Sequence, residues 1–354
     1  MLLAELASHN FLTRYVIMTL NSKDLFGITF GALNIVEDDG YISFERFKQN
    51  QFDYYEKACE SSYKRALHSA SMVIDFTTDS ENLSFAYKVS DHASRSWYSF
   101  DIYENDMMIL HHTGDATEAI EGEITAKLSR GMKRVRVYFP FSVKTYITKF
   151  TLDDGAAIIS TQRKLNALVL GDSITQGYDG KYPSLHYVNQ MVERYSMNYV
   201  NQAIGGEHFN ENILDDIGAF TPDVITLAMG INDWASYQFD EIEKNADKYF
   251  SRLTEIYKDV PIIYISPIWI NREGNDTTLL PTIEMLESVA SSYGAHVIHG
   301  LDLVPHDAGM FSDGVHPSDL GFTEYSKKLF PQIDKIIDFI KKAKEEKEIG
   351  LSVL

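Results

Sequence analysis

The chain has 354 residues, more than one hydrophobic core usually supports, so two domains are expected. Its net charge of −19 argues against nucleic acid or an anionic membrane surface as a partner, since both would repel it. Cys59 is the one cysteine, which excludes an intramolecular disulfide. A basic leader and a bilayer-length apolar run are both missing from the N-terminal sequence, so a cytoplasmic protein is predicted.

The first half of the chain alternates apolar and polar residues with a period of two, from about residue 24 to residue 154. The clearest alternating runs cover residues 83–89, 98–102, 124–128 and 135–139. Short alternating runs bounded by turn-forming residues are typical of an antiparallel sandwich or jelly roll, and this domain is predicted to span residues 1–160. Residues 52–66 resemble a helix or an irregular excursion instead. No catalytic constellation is visible, so this domain is interpreted as accessory.

The pattern changes in the second half, where strand-like runs alternate with helical ones. Strands are predicted at residues 165–170, 199–203, 224–229, 261–265 and 295–299, and helices at 184–195, 211–217, 239–257, 280–293 and 319–344. Pro331 is expected to kink the last helix. Five strands alternating with helices predict an α/β domain over residues 161–354, with a parallel sheet covered on both faces.

A sharp strand-to-helix turn follows the first of these strands. The apolar run stops at Gly171, and the small polar residues Asp172 and Ser173 come next. Such a turn lies at the carboxyl edge of a parallel sheet, where open α/β folds bind ligands, and it presents Ser173 as a nucleophile would be presented. The alternative is that Asp172 and Ser173 only cap the following helix.

Three further loops are expected at the same edge, and they carry the other groups that acyl transfer by a serine requires. His316 can be the general base, and Asp313 can bond its second ring nitrogen. The backbone N–H of Gly206, the side chain of Asn232 and the N–H of Ser173 can donate to an oxyanion. Each feature alone could be a turn or a tight loop. Their joint occurrence in this order favours the catalytic interpretation.

These motifs resemble the four blocks of the SGNH (GDSL-like) hydrolases. The blocks read GDSIT, the glycine of NQAIGG, GIND and DGVH, and the resemblance covers residues 163–340. It implies a three-layer α/β/α, flavodoxin-like fold with Ser173 as nucleophile, His316 as base and Asp313 as its orienter. It also implies an oxyanion hole of Ser173, Gly206 and Asn232.

A β-sandwich ahead of such a domain is similar to the layout of some carbohydrate esterases, notably the family 2 acetyl esterases. Those enzymes remove O-acetyl groups from plant polysaccharides or oligosaccharides. One departure is small, because family members often carry glycine where this chain has Ala203. Trp234 and Trp269 follow the third and fourth strands, and we expect them to wall an acyl pocket or a sugar subsite, or else to pack the loops.

The expected function is therefore that of a serine esterase that removes acetyl or other short acyl groups from a carbohydrate or another small ester, through an acyl-serine intermediate. No metal or cofactor is expected. A longer-chain lipase or thioesterase, or an acyltransferase, could use the same triad, and a non-catalytic carbohydrate-binding protein is a further alternative. The sequence leaves open the sugar, the acyl position, the oligomeric state and whether the N-terminal domain contributes to the active site.

Overall fold

The computed structural model describes residues 17–272 and 275–352. Its N-terminal part is mainly antiparallel strand with three short helices. The strands are β1 Ile17–Leu20, β2 Thr29–Phe30, β3 Asn34–Asp38, β4 Tyr41–Glu45, β5 Val73–Thr78, β6 Asn82–Ser90, β7 Trp97–Glu104, β8 Met107–Asp115, β9 Ile120–Lys127, β10 Lys133–Tyr138, β11 Lys144–Asp153 and β12 Ile159–Ser160. The helices are α1 Ser22–Gly27, α2 Gln49–Ala58 and α3 Glu60–Leu67.

These strands form two antiparallel sheets within the described residues. One sheet has the order β3-β4-β11-β6-β9 with β1 beside β11, and the other has the order β12-β5-β10-β7-β8 with β2 beside β5. Their inward side chains share one apolar core, in which the rings of Phe85 and Phe150 stack with centroids 5.8 Å apart. The predicted β-rich sandwich is confirmed, because the alternating residues of the sequence are those that face this core.

The C-terminal part alternates strands and helices. The strands are β13 Leu165–Gly171, β14 Met197–Asn201, β15 Val224–Ala228, β16 Ile262–Ile265 and β17 His296–Ile298. The helices are α4 Ser173–Gln176, α5 Tyr187–Arg194, α6 Ile231–Ser236, α7 Phe239–Ile256, α8 Leu280–Ser292 and α9 Asp319–Ser352, with a π-helical turn at Asn275–Leu279 and 3₁₀ turns at Pro183–Leu185, Glu211–Ile213, Gly300–Asp302 and Ala308–Met310.

The five strands form one parallel sheet with the order β14-β13-β15-β16-β17 within the described residues. Side chains along β13 alternate between two cores: Ala167 and Val169 pack with residues of α5 and α9, and Leu168 and Leu170 with residues of α7 and α8. Both faces of the sheet are thus covered by helices. This confirms the predicted α/β class and explains why the strands read as nearly continuous apolar runs.

Three predicted helices differ from the structure in extent. The helix predicted at 184–195 begins only at Tyr187, and the one predicted at 211–217 is a single 3₁₀ turn. The last helix continues through Pro331 to Ser352 instead of ending near residue 344. Its C-terminal half is anchored by Lys344, whose Nζ lies 2.6 Å from Asp223 Oδ2. Over the described ranges, every helix is too short or too polar to cross a lipid bilayer.

A buried arginine joins the sandwich to the α/β part. Arg46 follows β4 and is fully buried, and it donates to the backbone oxygens of His68 and Arg65 at 2.8 and 2.9 Å. The same guanidinium donates to Asn201 O and, at 3.1 Å, to Ala203 O, in the loop that follows β14. The sandwich therefore holds one of the loops at the carboxyl edge of the parallel sheet.

Candidate active site

The predicted nucleophile lies on the tight turn between β13 and α4. A side chain at Gly171 would place its Cβ 2.6 Å from the backbone oxygen of Ala228, so only glycine fits there. Asp172 caps α4, since its Oδ1 accepts from the Ile174 N–H at 3.0 Å. The capping interpretation thus holds for Asp172, while Ser173 at the first helical position points its hydroxyl toward another loop.

The hydroxyl of Ser173 meets His316, which belongs to the loop before α9. Ser173 Oγ is 2.8 Å from His316 Nε2, and His316 Nδ1 is 2.8 Å from Asp313 Oδ2. Asp313 Oδ1 accepts the backbone N–H groups of Val315 and His316 at 3.0 and 2.9 Å, which fixes the carboxylate. In the neutral imidazole, Nδ1–H donates to Asp313 and Nε2 accepts from the serine. The three predicted catalytic residues lie together in hydrogen-bonding order.

Charge around His316 favours its protonated form. Burial lowers the pKa of His316, but the carboxylates near Nδ1 outweigh this and raise it to about 9. Burial also opposes ionisation of Asp313, yet hydrogen bonds from His316 hold the pKa of that carboxyl well below its usual range. An imidazolium formed during a reaction would therefore be strongly stabilised here.

The predicted oxyanion-hole residues lie at the start of α4, in the loop after β14 and on α6, and the last two contact each other. Gly206 has a φ of +80°, a conformation that favours glycine. Asn232 Nδ2 donates to the backbone oxygen of Glu207 at 3.0 Å, which orients the amide and leaves it a second N–H. The N–H of Ser173 is at the start of α4, where backbone donors have no partner within the helix.

The sandwich supports the glycine loop, a contribution that the sequence left open. Arg65 on α3 donates from Nη1 to the backbone oxygen of Gly205 at 2.7 Å. Gln176 accepts the N–H of Gly205 at 2.7 Å on its Oε1, and its Nε2 lies 3.1 Å from Nδ1 of His68. The position of the predicted Gly206 donor therefore depends on side chains from both parts of the chain.

Two charged residues near His316 were missed by sequence reasoning. Asp179, in the loop after α4, has its Oδ2 3.3 Å from His316 Nδ1. Arg95, from the loop between β6 and β7, pairs with Asp179 at 2.6 and 2.8 Å and with Asp313 at 3.2 Å. No local motif marks either residue. The left-handed backbone of Asp179 and its position six residues after Ser173 become informative only in the folded chain.

The same carboxylates and imidazole form a possible metal-ligand set. Ligand atoms of Asp179, Asp313 and His316 lie within 4.8 Å of one another. The guanidinium of Arg95 contacts both carboxylates, so a positive charge already occupies the position from which a metal ion would neutralise them. Arginine and a cation would repel each other there, and the donor set therefore fits an acid–base site better than a metal centre.

Buried carboxyl groups lie behind the loops of the site. Burial raises the pKa of Asp172 to about 6, and of Glu207 and Asp233 to about 7. Tyr55 from the sandwich donates to Glu207 Oε2 at 2.7 Å, and Asp233 Oδ1 accepts the Phe209 N–H at 3.1 Å. These groups hold loop backbone in place, and they add negative charge beneath the site as pH rises.

The two tryptophans occupy different surroundings. Trp234 lies on α6 two residues after Asn232, packs on an apolar cluster that includes Val315, and donates from Nε1 to Thr278 Oγ1 at 3.0 Å. Trp269 stacks on His306 with centroids 5.0 Å apart and also contacts Phe311. Trp234 thus packs near the loop that carries His316, whereas the contacts of Trp269 resemble loop packing. A substrate role for either residue stays a prediction.

Part of the chain is similar to a known hydrolase family. Residues 169–323 match the model of the GDSL-like Lipase/Acylhydrolase family, which confirms the resemblance to the SGNH hydrolases. No curated protein matches the chain by sequence.

Solved structures share the whole two-part layout. The salicylyl-acyltransferase SsfX3 from a tetracycline biosynthetic pathway is 16% identical, with a TM-score of 0.70 over 87% of this chain and 94% of that one. A family two carbohydrate esterase from Cellvibrio japonicus is 14% identical, with a TM-score of 0.62 over 92% and 99%. An acetyl xylan esterase from the rumen bacterium Butyrivibrio proteoclasticus is 12% identical, with a TM-score of 0.62 over 91% and 99%. At these identities the likeness shows a common fold.

Proposed function

We propose that the protein is a serine esterase that removes acetyl or other short acyl groups from a carbohydrate or another small ester. The observation that carries this proposal is the hydrogen-bonded series from Ser173 Oγ through His316 to Asp313, with 2.8 Å at each step. Nucleophile, base and orienter in this order are what acyl transfer through a serine requires. The reaction needs no metal or cofactor.

In the first step His316 Nε2 takes the proton of Ser173 Oγ as the oxygen attacks the ester carbonyl. The carbonyl oxygen becomes an oxyanion, which accepts from the N–H groups of Ser173 and Gly206 and from the second N–H of Asn232. Asp313 accepts the Nδ1–H and stabilises the imidazolium. His316 then gives its proton to the departing alcohol, and the acyl group remains on Ser173.

In the second step a water molecule replaces the alcohol. His316 Nε2 removes a proton from this water as its oxygen attacks the acyl carbon, and the same donors bind the second oxyanion. The proton returns to Ser173 Oγ as the acid leaves, so the serine is regenerated. Each step uses the imidazole once as a base and once as an acid.

The preference for short acyl groups rests on the surroundings of Trp234. Its indole and the side chain of Val315 pack on one apolar cluster, and Val315 directly precedes His316 in the chain. A wall of this kind would contact the acyl chain of an ester held in the oxyanion hole. Shortening Trp234 to alanine should raise the activity on longer acyl chains relative to acetate.

The carbohydrate part of the proposal is supported by the fold shared with carbohydrate esterases. We assign the accessory domain to residues 1–160 and the catalytic domain to residues 161–354, of which 1–16, 273–274 and 353–354 lie outside the described residues. The assignment rests on β1 to β12, which build the two antiparallel sheets, and on β13 to β17, which build the parallel one. The proposed substrate is an acetylated sugar or oligosaccharide, and the proposed location is the cytoplasm.

The test is hydrolysis of p-nitrophenyl acetate, butyrate and octanoate, followed by acetate release from acetylated sugars and xylan oligosaccharides. Ser173→Ala is the control for spontaneous and nonspecific hydrolysis, and Phe339→Ala, which removes an exposed aromatic ring on α9, is the control for Trp234→Ala. Serine-dependent activity that falls from acetate to octanoate is expected. Activity that rises with chain length would replace the proposal with a lipase, and unaltered selectivity in Trp234→Ala would remove the acyl-wall role.

Acyl transfer to an alcohol other than water is the second candidate function. The acyltransferase among the structural neighbours favours it, since the same fold there carries transfer chemistry. The two reactions share the acyl-serine and differ only in the acceptor. Product analysis in the presence of sugar alcohols separates them: free acetate indicates an esterase, and an acetylated acceptor formed in preference to acetate indicates a transferase.

A further inference from the structure

His316 has two carboxylates at one nitrogen. Nδ1 lies 2.8 Å from Asp313 Oδ2 and 3.3 Å from Asp179 Oδ2. The imidazolium, and the neutral tautomer that can accept from Ser173, each carry one hydrogen at Nδ1. Asp313 Oδ2 accepts this hydrogen, and Asp179 Oδ2 lies at ion-pair distance from the same nitrogen. Asp179 is the more protected of the two, since its side chain is 10% exposed against 35% for Asp313.

Arg95 holds the two carboxylates together. Its Nε and Nη2 bind Asp179 at 2.6 and 2.8 Å, and Nη2 also reaches Asp313 at 3.2 Å. Two carboxylates this close would repel each other without a cation between them. The planar fork of arginine supplies that charge and fixes the orientation of Asp179. The ring of Tyr178 lies against both the guanidinium and His316, which limits movement of the pair.

The backbone conformation of Asp179 directs its side chain toward His316. The residue has a φ of +66°, which is uncommon for a residue other than glycine, and its backbone oxygen accepts from Ser312 Oγ at 3.3 Å. Aspartate and asparagine tolerate this conformation better than most residues. The loop after α4 therefore turns back toward the loop that carries His316, and brings a carboxylate to a nitrogen that already has one.

We propose that Asp179 is a second positioning carboxylate for His316, held there by Arg95 of the sandwich. This rests on the proposed function, in which His316 is the general base. The groups that face the imidazole are then Asp179, Asp313 and Arg95 on the Nδ1 side, Ser173 on the Nε2 side, the ring of Tyr178, and the more distant Asp172. The sandwich thus takes part in orienting the base and does not only support the fold.

Two positioning carboxylates predict a distinctive mutational pattern. If Asp179 can accept the Nδ1–H when Asp313 is removed, Asp313→Asn loses less activity than removal of the sole orienter would cause. The double variant Asp179→Asn with Asp313→Asn should have an alkaline-plateau kcat/KM at least about tenfold below that of Asp313→Asn alone, because no carboxylate then fixes the tautomer. Equal activity in the double variant and in Asp313→Asn would overturn the proposal.

The direct test is an NMR titration of the His316 imidazole in the full chain, with the resonance assigned by its loss in His316→Gln. Asp179→Asn should move the titration midpoint to lower pH, Asp313→Asn should do the same, and the double variant should move it furthest. Asp334→Asn is the matched control, because Asp334 also pairs with an arginine, Arg194 on α5, at 3.1 Å. A midpoint in Asp179→Asn that equals that of the control overturns the proposal.

The acid limb of kcat/KM should follow the NMR midpoint. A purely structural role for Asp179 would lower the plateau and leave the midpoint unchanged, so the two roles are separated. Asp179→Gly, which also accepts a positive φ, serves if the asparagine variant does not fold. The titration needs no substrate. If the wild-type protein shows no Ser173-dependent hydrolysis, the proposed function is overturned. The titration midpoints of the imidazole would still decide the role of Asp179.

Discussion

The pH dependence of ester hydrolysis follows from the charges at His316. The general base must be neutral, and the carboxylates of Asp179 and Asp313 raise its pKa to about 9 against the effect of burial. At pH 7 about 1% of the free enzyme then carries a neutral imidazole, so kcat/KM should lie about 100-fold below its alkaline plateau. The ratio should rise about tenfold for each pH unit between pH 6 and pH 8.

The assay is kcat/KM for p-nitrophenyl acetate from about pH 6 to about pH 10, read at the isosbestic wavelength of p-nitrophenol. Hydrolysis by Ser173→Ala at each pH is subtracted, since the ester breaks down spontaneously in alkali. The limiting slope and the midpoint give the apparent pKa of the base. A profile that is already flat at neutral pH would refute the reasoning, because it would mean that the two carboxylates do not hold a proton on the imidazole.

Four further outcomes follow from single contacts. Asn232→Ala should lower kcat about 10²–10³-fold with intact folding by circular dichroism, as loss of an oxyanion donor does elsewhere, and unchanged kcat would contradict its role. Gly171→Ala should lose about 1–3 kcal/mol of unfolding free energy in urea, because its Cβ meets the Ala228 backbone oxygen, and wild-type stability would argue against that contact. Arg46→Ala should lose more than about 2 kcal/mol in the same assay, since buried carbonyls are left unpaired, and a smaller loss would mean that water replaces it. Burial raises the pKa of Glu207 to about 7, so the folded protein binds more protons at this group than the unfolded chain does. The stability that Glu207 contributes at acid pH is therefore lost as pH rises through 7. Thermal unfolding should show this fall between about pH 5 and pH 8, reduced in Glu207→Gln, and an identical pH slope in that variant would contradict the assignment.

The spacing of apolar residues along the sequence predicted the strands and which of their faces are buried. Alternation along the first half reflects strands with one buried face, and the apolar run of β13 reflects a strand buried on both. Helix ends were less predictable: α9 continues past the predicted end near residue 344, where Lys344 pairs with Asp223 across the fold.

In the candidate site, sequence motifs predicted some of the residues and gave no sign of others. Ser173 and Asn232 each stand in a short motif that follows a strand, and parallel topology brings such motifs together. His316 stands in a short motif directly before α9. Asp179 and Arg95 carry no comparable signal: their pairing joins loops of the two parts of the chain and depends on how the sandwich docks. The sandwich, interpreted from sequence as accessory, therefore contributes side chains that contact the loops of the site.

The central claim is that Ser173 is the nucleophile, and covalent trapping tests it most directly. A short-chain p-nitrophenyl alkylphosphonate, an ester analogue that leaves a stable adduct on an activated serine, is added to the folded protein, and peptide mass spectrometry locates the adduct. The account predicts one p-nitrophenol released per chain, an adduct on the peptide that contains Ser173, and none in Ser173→Ala or His316→Gln. An adduct on another residue would contradict it, and so would ester hydrolysis by Ser173→Ala at the wild-type rate.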